Sequence, residues 1–296
     1  MSATVLVIGA LHHDIMIAAP GLPRYDETMV GTDWQPKFGG KGGNQAVAAA
    51  RVGPCRMLGA VGTDAFGSYM TEGLAAGNVQ ADFVQTVLAP TGISVAIVDP
   101  SGNYGAIIVS GANMHIDPAV LADATLWAGV GVLLLQNEVA ESLNFAAAQI
   151  ARGLGIPVIL NAAPARELGP DFVALVDVLV VNAVEAEMMG AGPVTDLKSA
   201  ANAAEMLAAR FSTVVVTAGG AGLAAWSALD EAFCVPAEAV TVASTHGAGD
   251  AFTGTLAAAI AQGATLQAAS ALATTAAALH VSGVNGSPLA LGGQQS

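Results

Sequence analysis

The chain is poor in cysteine, in lysine and in charged residues generally. Its two cysteines, Cys55 and Cys234, lie far apart and outside any CxxC pattern, so neither a disulfide framework nor a structural zinc site is indicated. Two unpaired thiols fit a reducing compartment, and we expect a cytoplasmic location. Only 11% of the 296 residues are charged, and the net charge is −14. This balance argues against nucleic acid or an anionic membrane surface as a partner.

An uncharged C-terminal stretch raises the question of a membrane span. No Asp, Glu, Lys or Arg occurs from Ala251 to Ser296. The stretch is mostly alanine, interrupted by Thr, Ser, Gln and Gly263, and is therefore too weakly apolar and too broken to cross a bilayer. We predict instead two helices, over residues 251–262 and 266–279, buried against a sheet.

Apolar, β-branched runs recur along the chain and predict strands. The run at residues 130–135 is apolar throughout, which is typical of a parallel sheet covered on both faces. The apolar run at residues 4–9 has no basic region before it, so it predicts a first strand and not a signal peptide. The other predicted strands cover residues 4–9, 15–19, 32–38, 93–98, 104–110, 158–161, 178–181 and 213–216. The length suits a single α/β domain over residues 1–296.

The segment from Val240 to Thr253 carries the most chemistry. Val240 and Val242 predict the end of a strand, and a turn of small residues at 247–249 leads into the first C-terminal helix. Unpaired amides at such a helix start could hold phosphate oxygens without a cationic side chain. Asp250 would repel a bound phosphate unless it served to take a proton from an attacking hydroxyl. A simple helix cap is the alternative explanation for this carboxylate.

Two motifs favour the catalytic role of Asp250 over that of a helix cap. STHGAGDAF at 244–252 resembles the C-terminal signature of the ribokinase, or PfkB, family of sugar and nucleoside kinases, and FGGKGGNQA at 38–46 resembles its N-terminal signature. The resemblance implies a ribokinase-like three-layer α/β sandwich with a mostly parallel central sheet. It also implies a small β-sheet lid, from segments at about 14–40 and 92–110, and we expect a homodimer because such lids often pair edge to edge.

The resemblance assigns Asp250 as the catalytic base. The amides of Gly247, Ala248 and Gly249 would stabilise charge on the γ-phosphoryl group of ATP. Residues implied to bind the sugar are His12, Asp14, Gly40, Lys41, Asn44 and Glu138.

Two of these sugar residues have further readings. His12 stands where the family usually has Asn, so the identity of the sugar stays open, and a loop histidine without a ligand is the alternative. Asn44 is also expected to open a helix over residues 45–51 as its N-cap.

The glycine-rich stretch around Lys41 is not a phosphate-binding P-loop, because the pattern GxxxxGK[ST] is not completed.

A nucleotide and metal site is implied farther along the chain. Asn182 and Glu185 would share the first turn of a helix and order the waters of Mg²⁺, although a capping box explains the same spacing. Residues implied to meet the nucleotide are Asn182, Thr217, Gly219, Gly222, His246 and Thr274, the last where the family often has Asn. The pattern Gly220-x-Gly222-x-x-Ala225 imitates a dinucleotide-binding fingerprint, but we expect a strand to follow it and not a helix.

One departure from the family pattern concerns monovalent cations. In many members an Asp at the start of the C-terminal signature helps to hold potassium, and Ser244 occupies that place here. Loss of this charge predicts weak dependence on potassium. Protonated His246 could supply the missing positive charge, or it could be a neutral loop histidine.

The sequence therefore predicts an ATP-dependent kinase acting on a hydroxymethyl group of a small sugar, with ribose or a related pentose favoured. A nucleoside such as pseudouridine is an alternative acceptor. A non-catalytic sugar or nucleotide sensor on the same scaffold is the alternative from another functional class.

Overall fold

The structure, a computed structural model, describes residues 2–101, 104–228 and 231–283. Among these residues the larger sheet has nine strands, all paired in parallel except at one edge, where two strands are added by antiparallel pairing. In spatial order they are β13 (Phe233–Pro236), β12 (Gly222–Ser227), β11 (Thr213–Thr217), β10 (Val178–Asn182), β9 (Val158–Asn161), β8 (Val130–Gln136), β1 (Thr4–Ile8), β4 (Cys55–Gly62) and β5 (Gln80–Val87). The predicted mostly parallel sheet is confirmed.

A smaller sheet of four strands comes from two segments of the chain. In spatial order it contains β3 (Asp33–Gly39), β2 (His12–Ala18), β6 (Gly92–Val98) and β7 (Tyr104–Val109). The β6–β7 hairpin was predicted almost to the residue, whereas β2 begins three residues before its predicted start. His12 pairs with Gly39 on one side and with Gly92 on the other, so this histidine lies in a strand and not in a loop.

Helices cover both faces of the larger sheet. They are α1 (Lys41–Ala50), α2 (Ala65–Ala76), α3 (Ala124–Trp127), α4 (Glu141–Gly153), α5 (Pro170–Val173), α6 (Ala183–Met188), α7 (Leu197–Leu207), α8 (Ala248–Ala261) and α9 (Leu266–Val281). Alternate residues of β1 point to opposite faces: Leu6 and Ile8 join a core that includes α4 and α7, and Val5 and Val7 join one that includes α1, α2, α8 and α9. This arrangement confirms the three-layer sandwich.

The two uncharged C-terminal helices are present as predicted, although α8 begins three residues before its predicted start and takes in part of the predicted turn. Leu256 of α8 and Ala273 of α9 are completely buried, and both helices belong to one core beside the sheet. Across the part of the chain that the structure describes, no helix has the length and apolarity needed to span a bilayer.

Two local predictions were wrong. Asn44 does not cap a helix, because α1 already begins at Lys41 with Gly40 as its N-cap. The low helix propensity of Gly42 is overridden by packing, since a Cβ there would lie 2.6 Å from the carbonyl carbon of Gly9. The segment around Val240 and Val242 is not a strand: β13 is the sheet's edge, and both valines are exposed.

The parallel strands bring polar residues to one edge of the larger sheet. Because parallel strands point the same way, the carboxyl ends of β8, β9, β10 and β11 meet at this edge, where open α/β sheets bind ligands. The residues at these ends are Gln136, Asn161, Asn182 and Thr217.

Candidate active site

Asp250 lies in the first turn of α8. Gly247 is the N-cap of this helix, with φ = 81° in the left-handed region, where glycine is favoured. Asp250 is therefore the third helical residue, beside backbone N–H groups that have no partner within the helix. Only 8% of the residue is exposed.

The amides at the start of α8 that have no protein acceptor differ slightly from the set predicted to bind an anion. The Ala248 N–H donates to the Thr245 carbonyl oxygen over 3.3 Å. The amides of Gly247, Gly249 and Asp250 donate to no other described residue. The predicted set was 247–249; in this structure the amides available to an anion are those of 247, 249 and 250.

Two side-chain amides hold the Asp250 carboxylate. Asn44 Nδ2 donates to Oδ2 over 3.1 Å, and Gln45 Nε2 donates to Oδ1 over 2.9 Å. Both donors come from α1, which packs directly against α8. Each carboxylate oxygen has two lone pairs, so the two bonds fix the group's orientation and still leave capacity to accept a proton.

A chain of buried amides stands behind Asp250, and sequence reasoning missed it. Gln136 Nε2 donates to Gln45 Oε1 over 2.8 Å, and Gln45 Nε2 also reaches Asn161 Oδ1 at 3.0 Å. Gln45 and Gln136 are completely buried. The only sequence signal was the presence of single glutamines in otherwise apolar runs, at the end of VLLLQ and beside an alanine-rich segment.

Glu138 lies next to this chain on the predicted sugar side. Its Oε2 accepts a hydrogen bond from the Lys41 backbone N–H at 2.8 Å and lies 4.0 Å from His12 Nδ1. Burial raises the pKa of Glu138 to about 7; Lys41 acts in the opposite direction, while Asp250 and Asp14 add to the increase. Burial lowers the pKa of His12, so its imidazole is neutral at pH 7.

The structure brings most of the predicted sugar residues together. Asp14 is buried in β2, and its Oδ2 lies 3.7 Å from His246 Nε2. His246 is on an exposed loop, so this contact joins the small sheet to the segment before α8. His12 Nε2 is buried and has no hydrogen-bond partner among the described residues.

Asn182 and Glu185 form the capping box that was the alternative to a metal site. Asn182 Oδ1 accepts from the Glu185 amide at 2.9 Å, and Glu185 Oε2 accepts from the Asn182 amide at 2.8 Å. Burial raises the pKa of Glu185, and both Lys41 and Asp250 act on it electrostatically. No cluster of three or more metal-ligating side chains exists among the residues with a described placement. One free carboxylate oxygen fits a Mg²⁺ ion held through its waters, which needs few direct protein ligands.

The residues predicted to meet the nucleotide are less closely grouped. Thr217 Oγ1 contacts the Val181 carbonyl at 3.4 Å, and Gly219 has φ = 54°. Gly222 has a structural reason to be glycine, since its φ is 113° and a Cβ would collide with the Val235 carbonyl oxygen. Thr274 donates its hydroxyl to the Ser270 carbonyl within α9, which leaves its oxygen only as an acceptor. The strand predicted after the glycine pattern is confirmed as β12, and a Rossmann dinucleotide site is thereby excluded.

These features are typical of an α/β phosphotransferase: a carboxylate lies beside amides at a helix start that donate to no other described residue. The chain belongs to the pfkB family of carbohydrate kinases, whose profile matches residues 2–289. It is 34% identical over 262 residues to a ribokinase of Haemophilus influenzae, covering 86% of this chain and 84% of the relative. It is 33% identical over 279 residues to a ribokinase of Bacillus subtilis, covering 94% and 92%. The structure of Arabidopsis thaliana ribokinase complexed with ribose and ATP matches with a TM-score of 0.88 at 28% identity, over 97% of this chain and 95% of that chain.

Proposed function

We propose that this protein transfers the γ-phosphoryl group of ATP to a hydroxymethyl group of a small sugar, ribose being the favoured acceptor. The observation that carries the proposal is the Asp250 carboxylate, fixed by Asn44 and Gln45. It lies beside the amides of Gly247 and Gly249, which donate to no other described residue. The relatives named ribokinase, and the matching structure that contains ribose and ATP, support this choice of substrates.

Asp250 acts as the base in the proposed reaction. The acceptor oxygen forms a bond to the γ-phosphorus as its proton passes to the Asp250 carboxylate, and the bond from phosphorus to the β,γ-bridging oxygen breaks to release ADP. Free amides at the start of α8 stabilise the charge on the transferring group. Glu138, Asp14 and Lys41 orient the sugar through its other hydroxyls.

Mg²⁺ would neutralise charge on the nucleotide phosphates. In this proposal Glu185 holds it through water, using the carboxylate oxygen that the capping box leaves free. Asn182, the N-cap of the same helix, would contact the waters of the metal and the nucleotide phosphates.

The small sheet is proposed to serve as a lid and as a dimer interface. The start of β2 carries His12 and Asp14, which belong to the proposed sugar site. Movement of this sheet would therefore open or close that site. Its surface exposes Trp34 and Ile107, which are 62% and 73% accessible, and burial of such residues against a second copy would stabilise a homodimer. Sedimentation of the purified protein would show the dimer or a monomer. A cytoplasmic location remains part of the proposal.

An acceptor screen tests the proposed function. The protein would be incubated with ATP and Mg²⁺ and, separately, with ribose, 2-deoxyribose, fructose, adenosine and pseudouridine, with products identified by mass spectrometry. We expect ribose 5-phosphate and a much lower yield from the nucleosides. Preferential phosphorylation of pseudouridine would support the nucleoside alternative. That alternative is favoured by His12, which stands where the family usually has Asn. Binding of sugar without any phosphorylated product would support the sensor alternative.

A further inference from the structure

Three hydrogen bonds among the described residues tie the segment just before α8, residues 243–247, to the end of α9. Two are backbone bonds, from the amides of Ala243 and Ser244 to the Val281 carbonyl oxygen, at 2.7 and 3.2 Å. The third uses a side chain: His280 Nε2 lies 2.8 Å from the His246 carbonyl oxygen. Because a carbonyl can only accept, the hydrogen in this bond must be on His280 Nε2.

This third bond acts on the peptide unit that enters the anion cradle. The carbonyl of His246 and the N–H of Gly247 belong to one trans peptide, and in such a unit the two groups point in opposite directions. A carbonyl held toward α9 therefore turns the Gly247 N–H away from α9. That N–H is one of the three amides at the start of α8 without a partner among the described residues.

The imidazole of His280 also limits how the turn can move. A Cβ on Gly247 would lie 2.9 Å from His280 Nε2, so the ring packs directly against the left-handed N-cap. On the other side of the loop, the His246 imidazole faces Asp14 at 3.7 Å. The loop thus lies between α9 and the proposed sugar site. Among the described residues, His280 is the only side chain of α9 that hydrogen-bonds to residues 243–247, while Thr275 bonds Glu238 earlier in the loop.

We propose that His280 is a positioning residue of the kinase site, which aims the Gly247 amide at the transferring phosphoryl group by holding the preceding carbonyl. The proposal rests on the proposed function, because it assigns the aimed amide to phosphoryl transfer. His280 itself would contact neither the sugar nor the nucleotide.

Three variants separate hydrogen bonding from packing. His280→Leu removes the donor and keeps much of the bulk, and His280→Gln restores an amide donor near the Nε2 position. Ser282→Ala disturbs the same helix end without reaching the cradle, because the one acceptor of Ser282 Oγ among the described residues is the Leu279 carbonyl. We expect His280→Leu to lower kcat about tenfold or more, because a poorly aimed oxyanion donor loses much of its effect on the transition state. The KM for the sugar should change little. His280→Gln should recover kcat to within about threefold of the unmodified protein. Ser282→Ala should have the kcat of the unmodified protein.

Two kinetic outcomes would overturn the proposal. One is an unchanged kcat in His280→Leu. The other is an equal loss in His280→Gln and His280→Leu when both melt at the same temperature as Ser282→Ala, since the ring's packing and not its donor would then matter.

A measurement without turnover keeps this test separate from the proposed function. Long-range ¹H–¹⁵N spectra of the uniformly labelled protein report which ring nitrogen of each histidine carries hydrogen. We expect His280 to carry it on Nε2, and the Gly247 amide resonance to shift between the unmodified protein and His280→Leu but much less in His280→Gln. A His280 ring protonated only on Nδ1 would refute the positioning role. If the acceptor screen gave no phosphorylated product although the spectra agreed, the proposed function would fail and the hydrogen bond would stand.

Discussion

Gln45 donates a hydrogen bond to Asp250 across 205 positions of the chain, Nε2 to Oδ1, at 2.9 Å. The same nitrogen contacts Asn161 Oδ1, while the Oε1 of Gln45 accepts from Gln136. One completely buried side chain therefore joins the two signature motifs and links them to two strand ends. The orientation of the proposed base depends on this glutamine as well as on Asn44.

Removal of the Gln45 amide should weaken both activity and stability. Gln45→Leu has a similar size, but it leaves Asn161 Oδ1 and Gln136 Nε2 without their partner and frees one oxygen of Asp250. We expect kcat to fall about tenfold and the free energy of unfolding to fall by about 1–3 kcal/mol, the usual cost of buried groups left unsatisfied. Urea unfolding and steady-state kinetics measure the two effects. Gln80→Leu, on an exposed position of β5, is the control; equal behaviour of the two variants would show that the buried amide chain has no such role.

Glu138 should make stability depend on pH. Its pKa is about 7 in the folded protein against an ordinary 4.5, so the folded state keeps the proton to a higher pH than the unfolded chain does. The free energy of unfolding should therefore fall as the pH rises from about 4.5 to about 7, and it should stay low above that range. Glu138→Gln removes this effect. We expect the stability of the unmodified protein, relative to the variant, to drop by about 1–3 kcal/mol between about pH 4.5 and 8, measured by urea unfolding. A constant difference, or a rise with pH, would contradict the burial argument.

Gly222 should be needed for the sheet. Gly222→Ala would place a methyl group against the Val235 carbonyl in a left-handed conformation, so we expect a loss of more than about 2 kcal/mol in unfolding free energy. Gly153→Ala is the matched control, because a Cβ at that end of α4 meets nothing within 4 Å. The control should be neutral or slightly stabilising. If Gly222→Ala were as stable as the control and lost only affinity for ATP, the residue would act on nucleotide and not on strand pairing.

Activity should respond weakly to potassium. Ser244 contributes a neutral hydroxyl, which accepts a hydrogen bond from the His246 amide at 3.3 Å, in place of the carboxylate of many family members. Initial rates in potassium, sodium and choline chloride at equal ionic strength should agree within about twofold, since the missing Coulomb attraction is worth roughly a few kcal/mol. Strong activation by potassium alone would refute this prediction.

The sequence predicted the fold well because its strands are apolar runs that a two-sided parallel sheet requires. It also placed Asp250 and Gly247 correctly at a helix start, since glycine and a first-turn carboxylate are local signals. Local signals failed where packing decides: the glycines before Asn44 hid the true start of α1, and Val240 appeared to be in a strand although no neighbouring strand pairs with it.

The supporting residues of the site could not have been found locally. Gln136 ends an apolar strand, His280 lies in the last turn of an alanine-rich helix, and neither belongs to a motif. Their roles come from contacts with residues 91 and 34 positions away, which only the tertiary structure brings together.

Asp250→Asn tests the central claim most directly. Asparagine keeps the size and nearly the shape of the side chain but cannot take the acceptor's proton at neutral pH. With ribose and ATP, followed by coupled detection of ADP, we predict a kcat lower by about 10²–10⁴-fold and a KM for ATP within about threefold of the unmodified protein. A variant that phosphorylates ribose at the original rate would show that Asp250 is not the base.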